Sequence, residues 1–339
     1  MKSEDKKYED IITIENLFQA WDEFKKGKRN KKDVQEFERH LENNLFGLFA
    51  ELKRKTYKHG SYQEFYVTDP KRRHIHKSKV RDRVLHHLLY EYLNELFDKH
   101  FILDSYSCRK GKGTHKSVKR LEKLARSMSR NYTGECWSLK CDIKTFFASV
   151  DHHILKNLIA RKVKDKNINW LIANVVDSFN SEMGIGKGIP LGNLTSQIFS
   201  NIYLNALDQF VKHTLKMKYY LRYADDFLIL TTRSRQHKDY LKIVKEYLVD
   251  NLKLELHPKK ISARNLSWGI DFCGYIVLPH YILPRTKTKK RILRKVAEGS
   301  DYQALQSYLG YFSHSNSFRL SSELVNQFWF RGGEEISKQ

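Results

Sequence analysis

Hydrophobic residues recur at helical spacing in several separate stretches of the chain. Leu17, Trp21 and Phe24 share one face of a first predicted helix, and a second keeps the same spacing from Val34 to Leu52. The pattern predicts further helices over residues 80–97, 115–128, 195–213 and 238–252. The last fifty residues are basic and helical in character. The aromatic side chains in these patterns are expected to lie in the core.

Alternation of apolar and polar residues indicates the strands. Trp137, Leu139 and Cys141 point to one face of a strand over residues 137–143, which puts Asp142 on the opposite, polar face. A hairpin is predicted over residues 219–230, and shorter strands over residues 62–67, 253–256 and 272–277. The glycines and the proline of residues 184–193 exclude regular structure there. Short strands between helices indicate an α+β fold with a mostly antiparallel, ferredoxin-like layer.

The tip of the 219–230 hairpin carries two adjacent carboxylates, Asp225 and Asp226. Adjacent carboxylates repel each other unless a cation lies between them, and hard oxygen ligands suit Mg²⁺ or Mn²⁺. Polymerases hold the reacting oxygens with two such ions, roughly 4 Å apart. The alternative is a solvated turn, since Asp is a common turn residue. Asp142, on the polar face of a nearby strand, offers a third carboxylate and favours the metal site.

Charge narrows the class of binding partner. The 339 residues include 62 Lys and Arg against 39 Asp and Glu, a formal charge of +23, with 13% aromatic residues. The basic residues form blocks over residues 71–83, 109–120 and 285–295. Such blocks suit a phosphate backbone, and aromatic rings suit stacking bases. A solvated basic surface or a membrane-facing patch is the alternative, but the blocks are spread along the chain without a basic amphipathic anchor, which favours nucleic acid.

Cysteine and histidine spacing predicts no metal or disulfide framework. The four cysteines contain no CxxC pair, and the pair His74 and His76, like the other histidine pairs, is interpreted as surface or phosphate contacts and not as ligands. No apolar run approaches about 20 residues, and the N-terminus lacks an apolar signal segment. A cytoplasmic protein with no membrane partner is therefore expected, in a chain long enough for one to three domains.

Five motifs in a fixed order carry a resemblance to the reverse transcriptase family, over nearly the whole chain. Residues 142–147 (DIKTFF) resemble the first palm motif, residues 223–226 (YADD) the metal-binding box, and residues 190–197 (PLGNLTSQ) the motif between them. Residues 256–260 (LHPKK) and 272–275 (FCGY) resemble the two motifs that follow. Each motif alone is weak, but five in order with compatible spacing make chance a poor explanation.

The resemblance implies a right-hand polymerase with fingers, a ferredoxin-like palm and a short helical thumb. Residues 1–136 would form the N-terminal helices and fingers, 137–151 the first catalytic strand of the palm, and 152–189 a connection between fingers and palm. Residues 190–280 would complete the palm, and residues 281–339 would form a basic helical thumb.

The resemblance also assigns catalytic roles. Asp142 and Asp225 would bridge two Mg²⁺ ions, with Mn²⁺ possible, the Ile143 carbonyl would add a ligand, and Asp226 would be the second carboxylate of the box. Lys260 matches the lysine that protonates or neutralises the leaving pyrophosphate. Its neighbour Lys259 is the alternative for this role.

Further residues are expected at the nucleotide and the template. Phe147 would exclude a 2′-hydroxyl, or else pack in the core, and Gly192 would allow close backbone approach. Arg73 and Arg81 are expected to make bidentate contacts with the triphosphate, and the alternative is a contact with the template backbone. Predicted nucleic-acid contacts are Lys71, Arg72, Arg109, Lys110, Lys112, Lys289, Lys290 and Arg291.

A narrower resemblance is to the reverse transcriptases of diversity-generating retroelements. It rests on Leu191-Gly192 and Ser196-Gln197, where most of the family has Gln-Gly and Ser-Pro, and on residues 104–115 and 308–314. It places Leu191, Gly192 and Gln197 at the nucleotide, and Leu191 offers only shape where Gln could donate a hydrogen bond.

This subtype implies particular partners and a particular product. An RNA template, a DNA or RNA primer and dNTPs would yield cDNA with errors at template adenines, for mutagenic retrohoming. A small basic accessory protein would help to hold the RNA, and the source would be a bacterium, an archaeon or a phage. The alternatives are another bacterial reverse transcriptase, of the phage-defence type, and a non-catalytic RNA-binding protein on a polymerase-like scaffold.

Overall fold

The computed structural model describes residues 6–68 and 71–336, the last six as backbone only. The chain divides into two compact units, each assembled from three segments. The first unit comprises the residues up to Leu103, Ile143–Lys216 and Ile243–Pro258. The second unit comprises Asp104–Asp142, Met217–Lys242 and the residues from Lys259 onward.

The α-helices of the described residues are α1 (Tyr8–Ile11), α2 (Ile14–Lys25), α3 (Lys32–Arg39), α4 (Leu41–Lys53), α5 (Val80–Phe97), α6 (Thr114–Met128), α7 (Phe146–Ser149), α8 (His152–Ala160), α9 (Lys166–Val176), α10 (Leu194–Gln209), α11 (Gln236–Leu252), α12 (Thr286–Ala297), α13 (Tyr302–Phe312) and α14 (Phe318–Ile336). The strands are β1 (Gln63–Val67), β2 (Arg73–Lys77), β3 (Trp137–Asp142), β4 (Tyr220–Tyr223), β5 (Asp226–Thr231), β6 (Ser262–Asn265), β7 (Ile270–Phe272), β8 (Tyr275–Leu278) and β9 (Tyr281–Pro284). Among the described residues, no helix is both long and apolar enough to cross a lipid bilayer.

Helix α5 lies at the centre of the first unit. It packs against α2 and against α10, so Leu85, Leu89 and Leu93 are completely buried. The predicted core residues Trp21 and Phe24 of α2 are buried as well. Because apolar burial is the main favourable term in folding, this helical layer forms the stable core of the first unit.

The second unit contains the sheet that carries the predicted carboxylates. Its strand order is β4-β5-β3-β6, and every neighbouring pair is antiparallel. Helix α6 packs on this sheet through Val118, Leu121 and Ala125, which are buried together with Leu228 and Leu230 of β5. The strands β7, β8 and β9 form a separate antiparallel sheet, and α12, α13 and α14 enclose a core of their own.

Three element predictions were wrong, and a strand of the sheet was missed. The strand predicted over residues 272–277 spans the turn between two strands, since β7 ends at Phe272 and β8 begins at Tyr275. The helix predicted from Val34 to Leu52 is two helices, α3 and α4, since His40 leaves the helical conformation (φ −123°, ψ 36°). No strand covers residues 253–256, where Leu256 forms only an isolated bridge with Ile143. The fourth strand of the sheet is instead β6, whose four residues (SARN) have no apolar alternation to reveal them.

Candidate active site

Two of the predicted carboxylates lie opposite each other on neighbouring strands. Asp142 ends β3 and Asp226 begins β5, and the antiparallel register pairs them directly. Directly opposed residues have Cβ atoms about 4.5–5.5 Å apart and project to the same face. Asp225 immediately precedes Asp226 at the hairpin tip. The structure therefore gathers all three predicted carboxylates at one end of the sheet.

This crowding changes the acidity of the site. The pKa of Asp226 is raised to about 6: burial is the largest cause, the ammonium group of Lys140 opposes the shift, and the negative charges of Asp142 and Asp225 add to it. Lys140 Nζ lies 3.9 Å from Asp226 Oδ1, too far for a hydrogen bond. Burial and like charges disfavour the charged form of a carboxylate. A nearby cation therefore stabilises the charged form of such a carboxylate strongly.

Lys260 is in direct contact with this group. Its Nζ donates a hydrogen bond to Asp142 Oδ1 across 2.6 Å. Burial lowers the pKa of Lys260, but the hydrogen bond to Asp142 and the charges of all three aspartates outweigh it, so the pKa is raised. Lys260 and the adjacent Lys259 are both exposed. The site thus combines three carboxylates with one bound ammonium group, and its hard oxygen donors are those that Mg²⁺ and Mn²⁺ prefer.

A buried arginine that sequence reasoning missed holds the hairpin tip. Arg222 is completely buried, and its guanidinium donates to the Ala224 carbonyl (3.0 Å) and to Ser105 Oγ (3.1 Å). Ala224 has a positive φ of 53°, uncommon outside glycine, so its conformation needs such support. The Arg222 main chain bonds to Asp104 (2.9 Å) and to Tyr106 (3.0 Å). The only signal in the sequence is one arginine inside an otherwise apolar strand.

A cavity of about 510 Å³ opens beside Asp142 and Asp226 within the second unit. Its charged and polar lining residues include Lys140, Lys259, Lys260, Arg264, Asp271 and Arg285. Arg285 Nε donates to Asp271 Oδ1 across 2.9 Å. Cationic walls next to a carboxylate cluster are suited to an anionic ligand that arrives with metal ions.

In the first unit, the loop before α10 is tied to the β1–β2 hairpin. The Leu191 carbonyl accepts a hydrogen bond from the His76 amide (3.0 Å), and Asn193 Nδ2 donates to the His76 carbonyl (2.9 Å). Gly192 has φ +111°, and a Cβ placed there would lie 2.8 Å from Ile75 Cγ2. The Gly192 backbone thus lies close to the hairpin, while its predicted approach to the nucleotide or template stays a prediction. Sequence reasoning assigned no role to Asn193, which is buried and also accepts a hydrogen bond from Ser78 Oγ.

The first unit also holds three other residues predicted at the nucleotide or the metal ions, and they differ in burial and packing. Phe147 is half-buried and packs edge-on against Phe146, with ring centroids 5.4 Å apart. Gln197 is exposed on the first turns of α10. Ile143 forms its bridge with Leu256. These placements are compatible with the predicted roles but do not test them.

The predicted basic contacts fall on separate elements. Arg73 is exposed at the start of β2, whereas Arg81 pairs with Glu51 (2.6 Å) and donates to the Lys58 carbonyl. The remaining positions are Lys71 and Arg72 before β2, Arg109, Lys110 and Lys112 before α6, and Lys289, Lys290 and Arg291 on α12. The guanidinium of Arg81 is thus already engaged, while that of Arg73 faces solvent; their roles stay predictions.

The chain matches a known protein-family model over more than half of its length. The family model described as reverse transcriptase (RNA-dependent DNA polymerase) matches residues 58–277. The Group II intron-encoded protein LtrA of Lactococcus lactis subsp. cremoris is 23% identical over 331 residues, covering 76% of this chain and 54% of LtrA. Protein YkfC of Escherichia coli (strain K12) is 22% identical over 232 residues, covering 58% of this chain and 60% of YkfC. The chain spans less than two thirds of the length of either relative.

Among solved structures, telomerase from Candida albicans in complex with a fragment of telomeric RNA is similar. The TM-score is 0.55 at 12% sequence identity, and the alignment covers 84% of this chain and 57% of that chain. At this identity the likeness concerns the fold alone. It confirms the predicted α+β class of the right-hand polymerases, while the predicted boundaries of fingers, palm and thumb stay a prediction.

Proposed function

The chain belongs to the reverse transcriptase (RNA-dependent DNA polymerase) family, and on that basis we propose that it is an RNA-directed DNA polymerase that copies an RNA template into cDNA. The observation that carries the proposal is the direct cross-strand pairing of Asp142 with Asp226, with Asp225 at the adjoining hairpin tip. A protein that only bound RNA would have no use for three carboxylates at one end of a sheet, where they repel one another.

The proposed reaction is two-metal nucleotidyl transfer. Members of this family use divalent metal ions; Asp142 and Asp225 would hold two of them, with Mg²⁺ the first candidate and Mn²⁺ the second. When bound, the ions supply charge neutralisation for the attacking 3′-hydroxyl and the leaving pyrophosphate. Asp226 would complete the carboxylate set, and the Ile143 carbonyl would add an oxygen ligand. Lys260, already bound to Asp142, would donate a proton or its positive charge to the pyrophosphate.

The substrates would be contacted by the basic and loop residues. The charge of +23 supports a polyanionic partner, proposed to be an RNA template annealed to a DNA or RNA primer. Arg73 and Arg81 are proposed at the triphosphate, and Phe147 beneath the sugar of the incoming dNTP. Leu191, Gly192 and Gln197 are proposed beside its base. The cytoplasm of a bacterium, or of an archaeon or phage host, would supply these substrates.

Primer extension on an RNA template tests the activity. The purified chain should incorporate dNTPs in the presence of Mg²⁺ and lose incorporation on addition of EDTA. Asp225→Asn should abolish extension while RNA binding persists. Asp239→Asn is the matched control, because Asp239 is an exposed carboxylate of the same unit. RNA binding without metal-dependent extension by the parent would favour the non-catalytic alternative.

We further propose the diversity-generating subtype, with errors concentrated at template adenines. The support for this subtype is a departure from the sequence of most of the family, which has Gln-Gly and Ser-Pro. This chain has Leu191-Gly192 in the loop before α10 and Ser196-Gln197 in the first turn of α10. The Leu191 side chain is half-buried, while its carbonyl is held by His76, so Leu191→Gln changes the side chain without removing the main-chain bond. Sequencing cDNA from both proteins should show adenine errors in the parent and fewer in Leu191→Gln.

Two other results would separate the subtype from its relatives. An error rate equal at all four template bases would indicate another kind of reverse transcriptase. The subtype also implies a small basic accessory protein that helps to hold the RNA. Its addition should raise the cDNA yield on the cognate RNA and leave the yield on an unrelated RNA unchanged.

A further inference from the structure

Three metal-ligating side chains meet on one face of the β1–β2 hairpin. The antiparallel register places Glu64 directly opposite His76, and His74 opposite Tyr66. His74 and His76 are two residues apart on β2, so both project to the face that Glu64 occupies. None of these residues belongs to the carboxylate cluster of the second unit or to the proposed nucleotide contacts.

The distances among the three ligand atoms suit one small ion. Glu64 Oε2 lies 3.0 Å from His74 Nε2, and Glu64 Oε1 lies 3.8 Å from His76 Nε2. One ligand atom from each residue lies within 4.8 Å of the other two. Tetrahedral zinc ligands at about 2.0–2.2 Å from the metal are separated by about 3.3–3.6 Å. The two measured separations, 3.0 and 3.8 Å, lie on either side of this range.

Neighbouring rings hold the imidazoles in place. The Tyr66 ring stacks on His74, with centroids 4.5 Å apart and planes 10° apart. The Phe179 ring packs against His76 with centroids 4.6 Å apart. Ligands whose orientation is fixed before binding lose less conformational entropy when an ion binds.

An ion pair alone does not account for this arrangement. Glu64 Oε2 and His74 Nε2 are within ion-pair distance at 3.0 Å, but the 3.8 Å between Glu64 Oε1 and His76 Nε2 is too long for a hydrogen bond. His76 Nδ1 is buried and has no hydrogen-bond partner, and the His76 side chain is only 14% exposed. Its other ring nitrogen nonetheless faces the carboxylate. Three atoms that can each present a lone pair, the two Nε2 atoms and a carboxylate oxygen, meet near one point, an arrangement that suits a shared cation.

We propose that Glu64, His74 and His76 form a binding site for a divalent transition-metal ion of the Zn²⁺ class. Two imidazoles and one carboxylate are typical of Zn²⁺, whereas Mg²⁺ prefers oxygen ligands only. Three protein ligands leave the fourth position for water or another ligand. The ion joins β1 to β2, and through the His76 main chain it stabilises the strand that holds Leu191 and Asn193. The proposal is independent of the polymerase activity.

Titration with Co²⁺, followed by displacement with Zn²⁺, tests the site. The titration uses the full chain in an Asp225→Asn background with excess Mg²⁺, so that the carboxylate cluster does not contribute. One equivalent of Co²⁺ should bind with tetrahedral visible absorption, and Zn²⁺ should abolish the signal. Removing one ligand, by His74→Ala or His76→Ala, should weaken Co²⁺ binding at least about tenfold.

A matched control and a conservative variant make the result decisive. His153→Ala removes an exposed histidine of the same unit and should leave the Co²⁺ affinity unchanged. If far-UV circular dichroism shows that His76→Ala has unfolded, His74→Ala and Glu64→Gln carry the test, since those side chains are more exposed. Equal Co²⁺ binding by the parent, His74→Ala and Glu64→Gln would overturn the proposal, and so would the absence of any stoichiometric binding.

Discussion

Lys260 Nζ and Asp142 Oδ1 are 2.6 Å apart, so the residue proposed to act on the pyrophosphate touches a residue proposed to hold metal. The contact supports Lys260 as the functional lysine; Lys259 and Lys260 are both exposed, so exposure does not distinguish them. The contact also offsets part of the negative charge that the three aspartates place at the end of the sheet.

Replacing Lys260 by Ala should reduce the rate constant of nucleotide incorporation by roughly a hundredfold or more, because general acid catalysis contributes at least that factor. Single-turnover primer extension at saturating dNTP measures this rate constant. Lys259→Ala is the matched control and should stay close to the parent. A large loss in Lys259→Ala with a small loss in Lys260→Ala would contradict the assignment.

Phe147→Ala should lower the preference for dNTPs over rNTPs by roughly ten- to two-hundredfold, because the half-buried ring would no longer exclude a 2′-hydroxyl. The ratio of kcat/KM for a matched dNTP and rNTP measures the preference. Phe146→Leu is the control: its ring is buried, so it should lower the thermal stability and leave the ratio unchanged. An unchanged ratio in Phe147→Ala would show that this ring is only a core residue.

Gly192→Ala should destabilise the protein by more than about 1 kcal/mol, since it combines a positive φ with a close contact to Ile75 Cγ2. Urea unfolding measures the loss. Gly184→Ala is the matched control, because Gly184 has φ +120° but no atom within 4 Å of the added Cβ. The difference between the two variants isolates the contact with the hairpin. Equal losses would mean that Ile75 moves aside freely.

Arg222→Met should leave the Ala224 carbonyl and Ser105 Oγ without their donor, at a cost of about 1–3 kcal/mol for each unsatisfied group. Because Arg222 is a positioning residue for the hairpin tip, the Mg²⁺ concentration needed for half-maximal extension should rise as well. Arg233→Met, which alters an exposed arginine beyond β5, serves as the control. A variant that loses stability but keeps the parent's Mg²⁺ dependence would limit Arg222 to a structural role.

The local pattern of the sequence was enough to locate the carboxylates. Period-two alternation put Asp142 on the polar face of β3, and the apolar segments around residues 223–226 indicated the hairpin, as the structure confirms. Strand β6 was missed because its residues lack alternation, and β2 was missed because Ile75 is its only apolar residue.

The local sequence pattern does not predict contacts between residues that are far apart in the chain. The contact of Arg222 with Ser105 joins residues more than a hundred positions apart. The meeting of Glu64 with His76 depends on the register of the β1–β2 hairpin, which the spacing of the two histidines does not reveal. Sequence reasoning accordingly treated those histidines as surface or phosphate contacts.

The measurement that tests the central claim most directly is Mg²⁺-dependent dNTP incorporation on a primed RNA template by the parent and by Asp142→Asn. The substitution keeps the size of the side chain and removes its charge beside Asp226 and Lys260. We predict templated extension by the parent and a loss of at least about 10²–10³-fold in Asp142→Asn, with the RNA affinity retained. Extension by Asp142→Asn at the parent's rate would contradict the account.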